Sequence, residues 1–137
     1  MEYYCTLRCE DSLYGVEFPD VPSVITVGSS VDEALAMAEE ALNGALASDV
    51  GQGLPLPIRK TLKGDGRYPV QVAPHILVAA QLRELRGERS QTEIAQRLGF
   101  SYQAYQRLEN PVKGNPTVKT LERIARALGK TLEVRIA

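Results

Sequence analysis

Four carboxylates near the amino terminus have the chemistry that a catalytic site would use: Glu10, Asp11, Glu17 and Asp20. Metal-dependent cleavage of a phosphodiester needs several such side chains to converge on a two-metal site with oxygen ligands. The surrounding pattern argues against convergence, because Glu10 and Asp11 lie in a turn while Glu17 takes an outward strand position. No acidic residue interrupts the strand expected over residues 3–9. We therefore predict no catalytic residue and no enzymatic activity.

The remaining candidate ligands do not form a site either. Cys5 and Cys9 fall about 13 Å apart on one face of a predicted strand, at ~3.3 Å per residue, which is too far for a disulfide. We expect both to be buried thiols. A single histidine, His75, and two separated cysteines do not supply a zinc ligand set, and no nucleophile has motif context. The prediction is no metal and no cofactor.

Composition indicates a globular protein. The 137 residues are 44% hydrophobic and 24% charged, and no apolar run approaches the ~20 residues of a membrane span. The amino terminus lacks a basic stretch followed by an apolar one, so we expect no secretory signal, no membrane partner and a cytoplasmic location. This length suits one domain or two small ones.

Charge is divided unevenly along the chain. Residues 1–74 contain five Lys/Arg and eleven Asp/Glu, net −6, whereas residues 75–137 contain eleven and six, net +5. The asymmetry favours two partners of opposite charge, although two solvated surfaces that merely differ are the alternative.

The first half predicts an α+β domain with the order β-β-β-α-β. Alternating residues indicate strands over 3–9, 14–18 and 24–27, with a last short strand over 68–72 at a sheet edge. Ser30 with Glu33 forms a capping box, and the apolar stripe that follows predicts a helix to near Ser48. Residues 18–35 are therefore interpreted as a turn and a helix cap, not a reactive loop.

These residues resemble a known family. Tyr14-Gly-Val-Glu-Phe-Pro-Asp-Val-Pro22, Val27-Gly28 and Val31-Asp-Glu-Ala-Leu-Ala-Met-Ala-Glu-Glu-Ala-Leu42 are similar to the amino-terminal domain of HicB antitoxins, over about the first 60 residues. Ser23-Val24 replaces the usual Gly-Cys. The resemblance implies a degenerate, catalytically inactive RNase H-like fold that binds and blocks a small RNA-cleaving toxin, HicA. A basic toxin would be attracted by the acidic residues, with Asp11, Glu17 and Asp20 as candidate contacts.

The second half predicts an all-α domain. Apolar spacing gives a helix that ends at Gly87, and Ser90 with Glu93 caps a second one. Gly99 marks a short turn, after which Ser101 caps a third helix, and Thr117 caps a fourth. Two short helices across such a turn form a helix-turn-helix.

Residues 90–110 resemble the Cro/repressor (XRE) family of DNA-binding domains, with coverage from about 75 to 128. The resemblance implies that Gln91 binds a phosphate at a helix start. It places Ser101, Tyr102, Gln103 and Gln106 on the recognition helix, and Arg107, Lys113 and Asn115 against backbone phosphates. Ordinary solvent exposure is the alternative for each polar residue. Tyr105 departs from the family pattern, which has an aliphatic core residue there.

Residues 131–137 alternate again and predict a short carboxy-terminal strand. Such a strand must pair either with a second copy or with its own chain. A homodimer or higher oligomer would suit the reading of two half-sites roughly 34 Å apart.

Taken together, the sequence predicts a two-domain antitoxin. Residues 1–74 bind and neutralise a small basic HicA-like toxin, and residues 75–137 bind operator DNA and repress the operon. One alternative is a stand-alone helix-turn-helix regulator whose first domain senses a ligand or only dimerises. Another is an enzyme that retains RNase H-like chemistry through Glu17 or Asp20.

Overall fold

The computed structural model describes all residues from 1 to 137, which divide into two compact units, Met1–Ile76 and Leu77–Ala137. The first unit is a four-stranded sheet with one long helix. The second consists of short helices.

The sheet is antiparallel throughout, with strand order β3-β2-β1-β4. Its strands are β1 (Glu2–Glu10), β2 (Leu13–Glu17), β3 (Ile25–Gly28) and β4 (Arg67–Gln71), and helix α1 (Val31–Gly51) follows β3. The predicted order β-β-β-α-β is confirmed, and β4 lies at a sheet edge as expected.

A two-residue turn joins β1 to β2. Asp11 and Ser12 have φ values of 51° and 65°, and the flanking residues Glu10 and Leu13 pair with each other. Two consecutive positive φ angles match the right-handed twist of the strands that they connect, as in a type I′ turn. This turn fixes the register in which Arg8 faces Gly15.

The core of the first unit lies between α1 and one face of the sheet. Its buried helix residues recur every four positions, and Tyr3, Cys5 and Val16 are buried on the sheet. That helical set is Ala34, Ala38, Leu42, Leu46 and Val50. Val50 continues the buried series, and the helix ends at Gly51, three residues beyond the predicted end.

The predicted helix cap at Ser30 is confirmed, whereas only one of the two cysteines is buried as predicted. The Ser30 hydroxyl accepts a hydrogen bond from the Glu33 amide at 3.1 Å, which confirms the capping box. Cys5 is buried, and burial raises its pKa to about 11, so this thiol stays protonated at neutral pH. Cys9 is exposed, contrary to prediction, because the last three residues of β1 are not covered.

The second unit contains α2 (Pro74–Arg86, most of which lies in this unit), α3 (Gln91–Leu98), α4 (Tyr102–Leu108) and α5 (Val118–Ala127). At the starts of α3, α4 and α5, the N-cap hydroxyls of Ser90, Ser101 and Thr117 each accept a hydrogen bond from the amide three positions on, as predicted. Gly99 ends α3 with a φ of 72°, a left-handed conformation that glycine adopts without steric cost. The helix-turn-helix is confirmed.

Tyr105 fills the position where an aliphatic residue was expected. It is fully buried and packs in one cluster with residues of α2, α3 and α5. That cluster consists of Leu82, Ile94, Ala95, Leu98, Tyr105 and Ile124.

The predicted carboxy-terminal strand is wrong for the single chain. Residues 131–137 form no helix or strand, with Val134 and Ile136 exposed by 66% and 97%. A strand needs a second strand to satisfy its backbone, and the helices of this unit offer none.

Candidate nucleic-acid interface and partner surface

Helix α4 exposes polar side chains around its one buried residue, Tyr105. Tyr102 is 42% exposed, and Gln103, Gln106 and Arg107 are exposed as well, whereas Tyr105 is buried. Gln103 and Gln106 are three positions apart and therefore neighbour each other on the helix surface. The helix presents amide groups that can hydrogen-bond base edges in a major groove.

Ser101 has a structural task at the start of this helix. Its hydroxyl oxygen accepts from the Ala104 amide at 3.1 Å and so satisfies one of the free donors of the first turn. The hydroxyl proton remains available for donation. A base contact by Ser101 stays a prediction.

The loop after α4 displays two predicted phosphate contacts. Lys113 and Asn115 are both exposed. Asn110 holds this loop, because its side-chain oxygen accepts from the amides of Val112 at 2.9 Å and Lys113 at 3.0 Å. Its carbonyl accepts from the Gly114 amide at 2.9 Å. The loop therefore has a defined shape that fixes the base of the Lys113 side chain.

Asn110 and Gly114 are positioning residues that sequence reasoning missed. A Cβ at Gly114 would come within 2.7 Å of the Asn110 carbonyl oxygen, so the close turn requires glycine. The available signal was an asparagine four residues before a glycine, since both are favoured in turns.

Gln91, predicted to bind phosphate, contacts a buried carboxylate. Its side-chain amide donates to Glu109 at 3.3 Å, and Glu109 has only 1% of its side chain exposed. An amide nitrogen carries two hydrogens, so one remains free for a phosphate. The contact with Glu109 orients the side chain from which that phosphate bond would be donated.

Glu109 is also held by arginines of α2. Arg86 donates twice to it, from Nε at 2.8 Å and from Nη2 at 3.0 Å, and the Nε of Arg83 lies 3.7 Å away. The carboxylate thus joins α2 to the start of α3 and the end of α4. Local sequence patterns did not indicate this role of Glu109.

Burial and the neighbouring arginine charge shift the pKa of Glu109 in opposite directions. Burial raises the pKa of Glu109, but the hydrogen bonds and charge of Arg86 outweigh it, so the pKa lies below its ordinary value. The hydrogen bond to Glu109 in turn raises the pKa of Arg86. Burial, and after it the neighbouring Glu109 carboxylate, also raise the pKa of Tyr105. The cluster is therefore charged and paired at neutral pH.

Two of the three predicted toxin contacts lie together. Asp11 and Glu17 are exposed and line one groove on the sheet face that α1 leaves uncovered. Asp20 is bound by its own chain, since it accepts from the amides of Lys60 and Thr61 at 2.9 and 2.8 Å. These backbone hydrogen bonds, that of Thr61 first, lower the pKa of Asp20.

The carboxylates do not assemble into a metal centre. No group of three or more His, Cys, Asp or Glu side chains has an arrangement that could hold a metal ion. None of the helices combines the length and the apolar character needed to cross a bilayer.

Comparison with known proteins gives two family matches. The model for the HicB-like antitoxin of bacterial toxin-antitoxin systems matches residues 2–80, and a helix-turn-helix model matches residues 80–134. Antitoxin HicB 2 of Photorhabdus laumondii is 30% identical over 136 residues, which cover 98% of this chain and 95% of the relative. Antitoxin HicB of Escherichia coli K12 is 30% identical over 138 residues, which cover 98% of each chain.

Among solved structures, the amino-terminal domain of Burkholderia pseudomallei antitoxin HicB is similar to this chain. It is 25% identical with a TM-score of 0.48, and the match covers 53% of this chain and 99% of that domain.

Proposed function

Because this chain belongs to the HicB-like antitoxin family of bacterial toxin-antitoxin systems, we propose that it has two binding activities. Residues 1–74 bind and neutralise a small, basic, HicA-like toxin that cleaves mRNA. Residues 75–137 bind operator DNA and repress the operon. The protein acts by binding and not as an enzyme.

The observation that carries this proposal is the pairing of two family matches on one chain. The antitoxin match ends at residue 80, where the helix-turn-helix match begins, and the two halves have opposite net charge. An acidic domain attracts a basic toxin, and a basic domain is attracted to the DNA backbone. Each charge therefore suits the partner assigned to it.

On DNA, α4 acts as the recognition helix. In this proposal Gln103, which is exposed, pairs with an adenine, and Tyr102, Gln106 and Ser101 make further contacts in the groove. Arg107, Lys113 and Asn115 contact phosphates, and Gln91 donates to another phosphate while Glu109 orients it. Phosphate contacts provide affinity, and the glutamines provide sequence preference.

We further propose that the protein binds its operator as a homodimer or higher oligomer. Residues 131–137 have alternating apolar side chains and no strand partner in their own chain. Pairing with the same segment of a second copy would satisfy their backbone and cover Val134 and Ile136. Since the operator lies in the bacterial cytoplasm, we place the protein there.

The toxin-binding activity is tested by tagged capture of the full chain and of residues 1–74 from the native cell. We expect a small basic protein in near-stoichiometric amount with both, identified by mass spectrometry and then shown to cleave RNA. If the folded full chain recovered only itself, the antitoxin assignment would be contradicted and a stand-alone regulator favoured.

The DNA-binding activity is tested by footprinting the DNA upstream of its own operon, where we expect two protected half-sites.

A further inference from the structure

The uncovered face of the sheet carries an apolar patch at the β2–β3 side. Strand register places Gly15 opposite both Arg8 and Val27, and Glu17 opposite Ile25. Alternate residues of these strands share a face, and Val16, between them, is buried on the other one. Leu13, Ile25 and Val27 are exposed by 48%, 74% and 48%. Three large apolar residues together on the rim of one strand pair are unusual for a face that meets only water.

A groove of about 540 Å³ runs across this patch, and Gly15 forms part of its floor. The fold does not require glycine at this position. A Cβ there would meet only the Arg8 carbonyl oxygen, at an ordinary 3.7 Å, and the φ of Gly15 is not positive. Glycine weakens a strand interior and often marks close approach by another chain. Its missing side chain leaves room for an incoming one.

The charges around the groove favour a basic occupant over a second copy. Glu10, Asp11 and Glu17 line it, with Arg8 as the one basic side chain. A second copy would bring the same acidic groups against each other, within domains that each carry a net charge of −6. Strand β3 is also a sheet edge with a free row of backbone groups, to which an extended segment of a partner can add.

We propose that this groove is the docking surface for the basic toxin. An apolar toxin side chain sits over Gly15, between Leu13 and Val27, and basic toxin side chains meet Glu10, Asp11 and Glu17. This inference rests on the proposed antitoxin function and assigns it a surface.

Two substitutions in the full chain test the groove, with the purified toxin from the capture experiment as the probe. Gly15→Val fills the floor without touching the chain's own core, and Glu17→Lys reverses a charge on the rim. Calorimetric titration should show each variant binding the toxin at least about tenfold more weakly than wild type. Gly15→Val should keep or raise the thermal midpoint, because a β-branched residue suits a strand.

Glu40→Lys is the matched charge control, since Glu40 is exposed on α1 and the helix covers the opposite face of the sheet. We expect it to change toxin affinity less than threefold. If Glu40→Lys and Glu17→Lys reduced toxin affinity by similar factors, only the net charge of the domain would matter. The assignment of Glu17 as a toxin contact would then be wrong.

The remaining outcomes separate this inference from the proposed function. If wild type binds the toxin and Gly15→Val binds it equally well, the docking surface is wrong while the antitoxin function stands. If wild type does not bind the toxin at all, both are wrong. If Gly15→Val dissociates an oligomer without changing toxin affinity, the groove binds a second copy and the proposal fails.

Discussion

The Glu109 carboxylate accepts two hydrogen bonds from the guanidinium of Arg86, at 2.8 and 3.0 Å, across 23 residues of sequence. A bidentate pair of this kind is both directional and strong. It connects the end of the recognition helix to α2, and Gln91 donates to the same carboxylate. The buried ion pair therefore holds two parts of the predicted DNA-binding surface, the side chain of Gln91 and the end of α4.

Glu109→Gln should destabilise the helical unit. Breaking a buried pair leaves the other charge uncompensated, at a cost of about 3–5 kcal/mol. Arg86 keeps 17% of its side chain exposed, so we expect a loss near the lower figure, about 3 kcal/mol, in the free energy of unfolding measured with urea. Glu122→Gln is the control, because it removes an exposed pair with Arg126 and should cost less than about 1 kcal/mol. Equal losses from the two variants would contradict the role of burial.

The same carboxylate predicts a pH dependence. Its pKa is lower in the folded protein than in the unfolded chain, where glutamate has a pKa of about 4.3. Its stabilisation is therefore complete above that value and is lost as the pH falls through the folded pKa. Unfolding free energies measured from pH 7 downward should fall more steeply for wild type than for Glu109→Gln, so that the two curves converge. Parallel curves would show that Glu109 is not responsible.

Alanine substitution should have opposite effects on stability at two glycines of the first unit. A Cβ at Gly28 would overlap the backbone of Ala34, with the Ala34 Cα only 2.6 Å away, so Gly28→Ala should destabilise by about 3 kcal/mol. Gly44 lies inside α1, and a Cβ there would meet nothing beyond its own helical turns within 4 Å, so Gly44→Ala should stabilise by about 1 kcal/mol. Thermal unfolding of both variants and of wild type measures these changes in stability. A Gly28→Ala protein as stable as wild type would show that β3 and α1 do not pack this closely.

Substitutions of base-contacting and phosphate-contacting residues should affect binding to specific and random DNA differently. Gln103→Ala should weaken specific binding by about 1–3 kcal/mol and leave random DNA unaffected. Lys113→Ala should weaken binding to every sequence and reduce the salt slope by about 1. Lys63→Ala is the control, because it removes the same charge from the acidic unit. It should change neither the affinity for DNA nor the salt slope. Equal loss on specific and random DNA from Gln103→Ala would contradict the base contact.

Local features were predictable from sequence because their causes are local. The caps at Ser30, Ser90, Ser101 and Thr117 depend on residues three positions apart, and the helical stripes depend on a period of 3.6. The order of strands and helices followed from these signals. The exposed positions of α4 were instead expected from the resemblance to the Cro/repressor family.

Features that depend on distant residues could not be predicted. Nothing in the local pattern pairs Glu109 with Arg86, and nothing near Asp20 shows that Lys60 and Thr61 will donate to it. The carboxy-terminal strand failed for a related reason, since alternation describes a strand's faces and not its partner. The groove at Gly15 became visible only when three strands were placed in register.

As an antitoxin, this chain should neutralise an RNA-cleaving toxin by binding it. The most direct measurement is cleavage of a defined mRNA by the purified HicA-like toxin while the full chain is added in increasing amounts. We predict that cleavage stops when the chain reaches stoichiometric equivalence and that Gly15→Val shifts the titration to higher concentration. Undiminished cleavage at a large excess of folded wild-type chain would contradict the antitoxin function.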